Sequence, residues 1–315
     1  MAQPNHSEVQ VVDLVLTQLL VGYQQAEDRF IANRVFPVVP VGLQGFTYYT
    51  FTKKYWFLDE MKSRTPGAAY ARSGYGLTST TGYANTWGLE HPIADEARTN
   101  NQVPMALEQA GLRWLAQQSL IRRERAFSAD FMVTGVWGTD DNNATTDWDD
   151  FTGGDPFNDV LTAQRTISNN TGVVPNTMAM GYIVHVALQN HPDIVDRIKH
   201  VQIASLGNVE SALSSLFGVS QYLVGKATYN SANEGQTMSA TAIVDDDCLI
   251  CYSNNAPGMF APSAGYTFTW DGGGGNGSVY TYREDQTDSD ILKNKEAWDQ
   301  KAVATDVGYF FADVV

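Results

Sequence analysis

The stretch 104–133 constrains this chain most. After Pro104 it runs for thirty residues with no further proline and only Gly111 to weaken it, so it reads as one long helix. Leu107, Trp114 and Ile121 recur every seven residues on one face. Leu112, Leu120, Phe127 and Phe131 fall on the roughly opposite face at about 100° per residue. A helix with two apolar faces is expected to sit between two layers. At 1.5 Å per residue it would be about 40 Å long.

What precedes that helix has no core of its own. Residues 1–40 read as an arm, with Val11, Val12, Leu14, Val15, Leu16, Leu19 and Leu20 on a short helix and an extended run Phe36-Pro37-Val38-Val39-Pro40. Such an arm is expected to pack on something else. Residues 41–98 are rich in Tyr, Thr and Gly; Phe46–Phe51 reads as a strand of aromatic and β-branched residues, and a stretch near Thr78–Trp87 as its partner. Between them lie Lys53, Lys54, Lys62, Arg64 and Arg72, which gives a long hairpin with a basic tip, too polar to fold alone.

After the helix comes a loop carrying Asp140, Asp141, Asp147, Asp149 and Asp150. Asp155-Pro156 then supplies an N-cap and first-turn pair for a helix whose apolar face is Phe157, Val160, Leu161 and Ile167. Val173–Met180 reads as a strand, Tyr182–Gln189 as a helix, and a short helix follows through Lys199. Val209, Leu213, Leu216 and Phe217 mark another helix, closed by Gly218. Strands are expected at Tyr222–Lys226, Ala242–Val244, Cys248–Tyr252, Gly265–Trp270 and Val279–Arg283, with a last apolar strand in Val307–Val315. The glycine run Gly272-Gly273-Gly274-Gly275-Asn276-Gly277 reads as a flexible hairpin loop or hinge. No solenoid or propeller period is present.

Composition narrows function. The 315 residues carry 20 Lys plus Arg against 35 Asp plus Glu, a formal charge of -15, which disfavours wrapping phosphate backbones. Two cysteines exclude a disulfide scaffold. The opening residues lack a basic segment and a long apolar run, so no secretory signal or membrane span is expected and the chain reads as made in a reducing cytoplasm. Cys248-x-x-Cys251 lies inside a strand pattern, where a spacing of three sends the side chains to opposite faces; it reads as two buried structural cysteines. Asp147-x-Asp149 opens like a calcium loop but has Phe151 and Gly153 where ligand and turn should differ, so the pattern fails. Asp245-Asp246-Asp247 reads as a solvated turn, with a cation site as the alternative. His185 sits amid apolar residues as a core or boundary histidine. No nucleophile elbow, phosphate loop or dinucleotide fingerprint occurs, so no catalytic, cofactor or metal residue is assigned. Arg113, Arg122, Arg123 and Arg125 fan around the long helix, which favours pairing within or between chains over nucleic-acid reading.

The order of these pieces resembles the major capsid proteins of tailed bacteriophages, the Hong Kong ninety-seven type or Johnson fold, an α+β architecture. Local phrases carry the likeness: Val173-Val-Pro-Asn-Thr-Met-Ala-Met-Gly-Tyr182, Ala187-Leu-Gln-Asn-His-Pro-Asp-Ile-Val-Asp-Arg-Ile-Lys199, Tyr222-Leu-Val-Gly-Lys-Ala-Thr-Tyr-Asn230, Cys251-Tyr-Ser-Asn-Asn-Ala-Pro257 and Pro262-Ser-Ala-Gly-Tyr-Thr-Phe268. The resemblance implies an N-arm over 1–40, an E-loop hairpin over 41–98, a P-domain with its spine helix over 99–172, and an A-domain over 173–264. It further implies return strands to the P-domain over 265–302 and a final A-domain strand over 303–315. It implies hexamers and pentamers of an icosahedral shell in the virion, put together in the host cytoplasm around double-stranded DNA that is not read by sequence. A portal is a partner implied, with a decoration protein as an optional one; because the arm begins almost at Met1, a separate scaffolding protein is expected instead of an attached scaffold. No covalent cross-linking between subunits is expected. Lys62, Arg64 and Arg72 are expected to meet Asp147, Asp149 and Asp150 of another subunit, the alternative being that both sets are merely solvated. An encapsulin-type nanocompartment shell keeps the same fold as a second reading, and a cytoplasmic α+β enzyme is a third.

Overall fold

The computed structural model describes all residues except 1–23, 52, 101–106, 142–146, 200–208, 259–261 and 276. The arm helix expected at Val11–Leu20 and the Pro104 turn lie outside the described residues. In chain order the strands are β1 (Val38–Val41), β2 (Gly45–Phe51), β3 (Leu77–Tyr83), β4 (Asn85–Ala94), β5 (Thr139–Asp141), β6 (Thr177–Gly181), β7 (Gln221–Gly225), β8 (Thr228–Asn230), β9 (Ala240–Ala242), β10 (Cys248–Cys251), β11 (Gly265–Trp270), β12 (Ser278–Glu284), β13 (Ser289–Ala302) and β14 (Gly308–Phe311).

One mixed sheet runs in the order β5-β14-β10-β6-β7. Its central strands Thr-Met-Ala-Met-Gly, Cys-Leu-Ile-Cys and Gly-Tyr-Phe-Phe are buried throughout, because both faces are covered. Side-chain alternation sorts them into two cores. Cys248, Ile250, Met178, Met180, Tyr309 and Phe311 face Trp148 and the helix Pro156–Thr171. Leu249, Cys251, Ala179 and Phe310 face Phe36, Phe127 and Trp137. The two cysteines therefore do lie on opposite faces, as their spacing requires. The helix Pro156–Thr171 begins as its first residues dictate: the Asp155 carboxylate accepts the Asn158 N–H at 3.1 Å, and the helix ends on Gly172 at φ 72°.

The second sheet is built on β13, whose fourteen residues no sequence pattern announces. β4 lies along one edge; β12 and then β11 lie along the other, and β1 adds to β11 in parallel. This corrects the reading of the glycine run. β11 and β12 both run antiparallel to β13, with Thr269 opposite Trp298 and Ser278 opposite Lys295. The glycines are thus neither a hairpin loop nor a hinge between paired strands but an extruded bulge, spanning only Glu296 and Ala297 of β13. The bulge folds back on the ladder, where the Ala297 N–H donates to the Gly275 carbonyl at 3.2 Å. Gly274 sits at φ 107°, where a Cβ would lie 2.5 Å from the Lys295 carbonyl oxygen, so no other residue fits without strain.

The long helix spans Leu107–Phe131 and crosses this sheet. Leu115 packs on Ile93 and Leu292; Phe127 and Phe131 pack on Phe36, with ring centroids 5.2 and 4.7 Å away. The expectation of two apolar faces holds only in part. Leu112 and Trp114 are exposed at 37% and 45%, while Arg123 and Glu124 are buried. Polar groups occupy the buried stripe because they bridge to other elements. Arg123 Nη2 meets Glu296 Oε2 at 3.0 Å, and the same carboxylate accepts from Trp298 Nε1 at 3.1 Å and from Ser119 Oγ. Arg125 lies over the Tyr229 ring and Arg122 over Trp87, whereas Arg113 is exposed.

The arm, too, needs correcting where it is described. Phe30, Ile31, Ala32, Val35 and Phe36 are buried on this chain's own long helix and central sheet, not left for another surface. Ser253 Oγ and Thr267 Oγ1 donate to the Val35 and Phe36 carbonyls, which ties down backbone that no helix or strand satisfies. The turn at Asp245–Asp247 likewise departs from a solvated one. Only Asp245 is exposed; the Asp246 carbonyl accepts the Val314 N–H and Asp247 Oδ1 accepts the Asp313 N–H.

The buried Arg123–Glu296 pair makes a stability prediction. Arg123→Met, which strands Glu296 without its cation, is expected to cost about 3–5 kcal/mol in a urea melt, whereas the double change with Glu296→Met recovers most of it.

Candidate inter-subunit surfaces

The hairpin divides into a seated root and an unsheltered tip. β2 and β3 pair antiparallel from Gly45–Tyr83 to Phe51–Leu77. At the root, Phe46 and Tyr48 lie on Phe268 of β11, with centroids 4.4 and 5.7 Å away. Gly82 leaves room for this: a Cβ there would be 2.3 Å from the Phe46 ring. The Tyr83 N–H donates to Asp299 Oδ2 at 3.3 Å, and Lys53 Nζ meets Asp306 Oδ2 at 2.8 Å. Beyond Lys53 the apolar side chains of the hairpin are largely exposed. Trp56, Phe57, Met61, Tyr70 and Tyr75 are exposed, Met61 at 94%. Trp56 and Tyr75 touch at 6.0 Å and Arg64 lies 4.3 Å over Tyr70, so the aromatics cover one another only partly. Exposed apolar residues gathered on one element make the tip a candidate contact surface.

The tip is also basic. Residues 53–76 hold five Lys or Arg against Asp59 and Glu60, in a chain whose formal charge is -15. Lys62, Arg64 and Arg72 are all exposed there. Of the acidic residues expected to meet them, Asp149 and Asp150 are exposed and Asp147 is half-buried. Their loop is a local turn: Asp150 Oδ1 accepts the Thr152 N–H at 3.0 Å and the Asp147 carbonyl accepts the Asp150 N–H at 3.0 Å. Among the described residues no ion pair joins the basic tip to this loop within one chain. The exposed aromatics of the tip, more than its charges, are what sequence reasoning passed over. The signal that could have found them is the unbroken run Tyr55-Trp56-Phe57-Leu58 inside an otherwise polar hairpin.

The buried titratable groups are engaged in packing. Burial pushes the Cys251 thiol up to about 12 and Cys248 well above its ordinary value, which makes both poor nucleophiles. His185 is buried, with Nδ1 2.9 Å from Tyr222 Oη and Nε2 2.7 Å from Gln189 Nε2; burial lowers its pKa. A shallow groove over β4, β12 and β13 is lined by Trp87, Glu90, Tyr280, Lys293 and Lys295. Its Glu90 and Lys293 neutralise each other at 2.9 Å, leaving no acid–base pair to act on a bound molecule. Among the described residues no group of three or more His, Cys, Asp or Glu is arranged to hold a metal ion, and no helix is long and apolar enough to cross a membrane.

Asp247 has a pH consequence. Burial, reinforced by the neighbouring Asp246, Asp313 and Asp245, raises its carboxyl from 3.8 to about 6, against the lowering effect of the Asp313 N–H. The native state then binds this proton more tightly than the unfolded chain. Its contribution to stability is complete below 3.8 and is lost as pH rises through about 6. Asp247→Asn is expected to raise the calorimetric melting temperature at pH 7 and to flatten its fall between pH 4 and 7.

The chain can now be set beside known proteins. No family model matches it. The major capsid protein of Burkholderia phage BcepMu is 25% identical over 315 residues, covering 98% of both chains. That of Pseudomonas phage JBD67 is 25% identical over 318 residues, covering 96% of this chain and 97% of its own. The crystal structure of a phage-related protein of Bordetella bronchiseptica RB50 superposes with a TM-score of 0.70 at 21% identity, over 96% of this chain and 98% of that one. The capsid of Cyanophage P-SCSP1u gives a TM-score of 0.56 at 12% identity, over 99% and 92%. With this α+β architecture and with sequence similarity that runs end to end, the chain is a homologue of phage major capsid proteins, carries the Hong Kong ninety-seven type fold, and has a structural rather than a catalytic role.

Proposed function

We propose that copies of this chain close into an icosahedral shell of hexamers and pentamers around double-stranded DNA. The observation that carries this reading is the hairpin tip. Trp56, Phe57, Met61, Tyr70 and Tyr75 are exposed on a single subunit, and a neighbouring copy is the surface that a repeating wall supplies to them. The acidic balance of the chain supports the same role, since a wall that bound packed DNA tightly would hold it back on release.

In that shell residues 1–40 act as the N-arm, 41–98 as the E-loop, 99–172 and 265–302 as the P-domain, and 173–264 with 303–315 as the A-domain. The seating of residues 30–36 and of the hairpin root on their own chain supports a subunit whose body is complete and whose reach lies in the tip. Lys62, Arg64 and Arg72 pair with Asp147, Asp149 and Asp150 of a neighbour, where each exposed pair contributes about 0–1 kcal/mol and the number of repeats matters more than any one pair. A portal and a separate scaffolding protein complete the particle, which is assembled in the host cytoplasm and has room on its wall for a decoration protein.

Negative-stain electron microscopy of the purified full-length protein tests the proposal. Closed shells or isolated capsomers are expected; a monomer by light scattering at every concentration overturns it. Arg64→Glu with Arg72→Glu is expected to reduce the yield of closed shells on a sucrose gradient, and normal yields would remove the charge pairing while leaving the shell. A denaturing gel of boiled particles is expected to show one band at the monomer mass.

A further inference from the structure

The described part of the arm is held on the long helix by two neighbouring side chains. The Glu124 carboxylate, 1% exposed, accepts the Ile31 N–H through both oxygens at 3.0 Å, and its Oε2 accepts the Ala32 N–H at 2.9 Å. Arg123 Nη1 donates to Asn33 Oδ1 at 3.2 Å. These bonds hold the first turn of Ala32–Val35, and so set Ile31, Val35 and Phe36 against Phe127 and Phe131.

We propose that Glu124 is an ionisation-gated latch for residues 30–36: neutral, it keeps the segment seated on the long helix, and ionised, it loosens that seat. The inference concerns a single chain and does not depend on the shell.

Among the described residues, the charges on the elements packed around the carboxylate are committed elsewhere or exposed. On the long helix, Arg123 pairs with Glu296 of β13, and Arg125 lies over Tyr229. On the arm, Glu27, Asp28, Arg29 and Arg34 are exposed. Just after β7, Lys226 pairs with Glu210 at 2.8 Å while its N–H donates to the Arg29 carbonyl. The ionised form of Glu124 thus has two backbone donors, and none of these cations is turned to it in exchange for the water it has lost.

Burial raises the Glu124 carboxyl from 4.5 to about 7, against the lowering effect of the Ile31 and Ala32 N–H groups. Unseating the arm returns the carboxyl to water and to its ordinary range. The seated form therefore binds the proton more tightly, and raising the pH from 4.5 through about 7 favours the unseated form. The gap between those two values caps the effect at about 300-fold. Ile31, Val35 and Phe36 keep the segment seated in the bulk of molecules by their apolar burial; the latch changes how often it opens.

Hydrogen–deuterium exchange of the full-length protein from pH 5 to pH 8.5, corrected for intrinsic amide rates, reads this opening. The Ile31 and Ala32 amides are expected to open tens to hundreds of times more often at the alkaline end, with the Met178–Met180 amides changing far less. Glu124→Gln is expected to abolish that slope. Ile31→Ala, which weakens the seat but leaves the carboxyl in place, is expected to raise opening at every pH and keep the slope. A wild-type slope in Glu124→Gln, or a flat response in the wild type, overturns the latch. Should Glu124→Gln not fold, the wild type and Ile31→Ala still decide the matter: a flat profile in either overturns it.

Discussion

Two successive residues of the long helix, Arg123 and Glu124, join it to everything it crosses. Arg123 reaches β13 through Glu296 and the arm through Asn33; Glu124 takes the two backbone N–H groups that open the arm turn. A helix that met its neighbours through apolar contact alone could slide along them, because dispersion and burial are indifferent to register. Buried polar groups with single partners are not indifferent, since a slip leaves each of them unpaired at a cost of about 1–3 kcal/mol. The arm, the helix and the β13 sheet are therefore fixed in one relative position, and the hairpin inherits that position through Phe46 and Tyr48 on Phe268.

Once the root of the hairpin is fixed, the tip is left largely exposed. Its aromatics stand beyond the last tie, the Lys53–Asp306 pair, and the two core clusters lie on either side of the central sheet. A monomer with this arrangement carries its stability in the body and its stickiness in one projecting element. That division is what the proposed shell requires: a body with its own core, and a tip whose exposed aromatics a neighbour can cover. It also explains why the groove over β4, β12 and β13 looks unlike an active site. Its Glu90 and Lys293 neutralise each other across adjacent strands, as cross-strand pairs do on any exposed sheet face.

Local chemistry determined a good deal of this protein. Asp155-Pro156 and Gly172 bound their helix, and Gly218 ends another, because caps act within one turn. The apolar runs of β6, β10 and β14 marked them as strands, and the spacing of Cys248 and Cys251 placed the two side chains on opposite faces. The order of elements was enough to suggest the capsid fold. Tertiary structure decided the rest. β13 is the longest strand and escaped notice because Glu296 and Gln300 are polar yet buried, so the alternation that marks a half-buried strand is broken. The glycine run became a bulge only because β11 and β12 share one neighbour, which is a fact of pairing and not of composition. Which aromatics of residues 41–83 pack and which stay exposed was likewise set by where β11 lies. Sequence pattern records each residue's preference for water, and only the assembled chain decides which partner, if any, answers it.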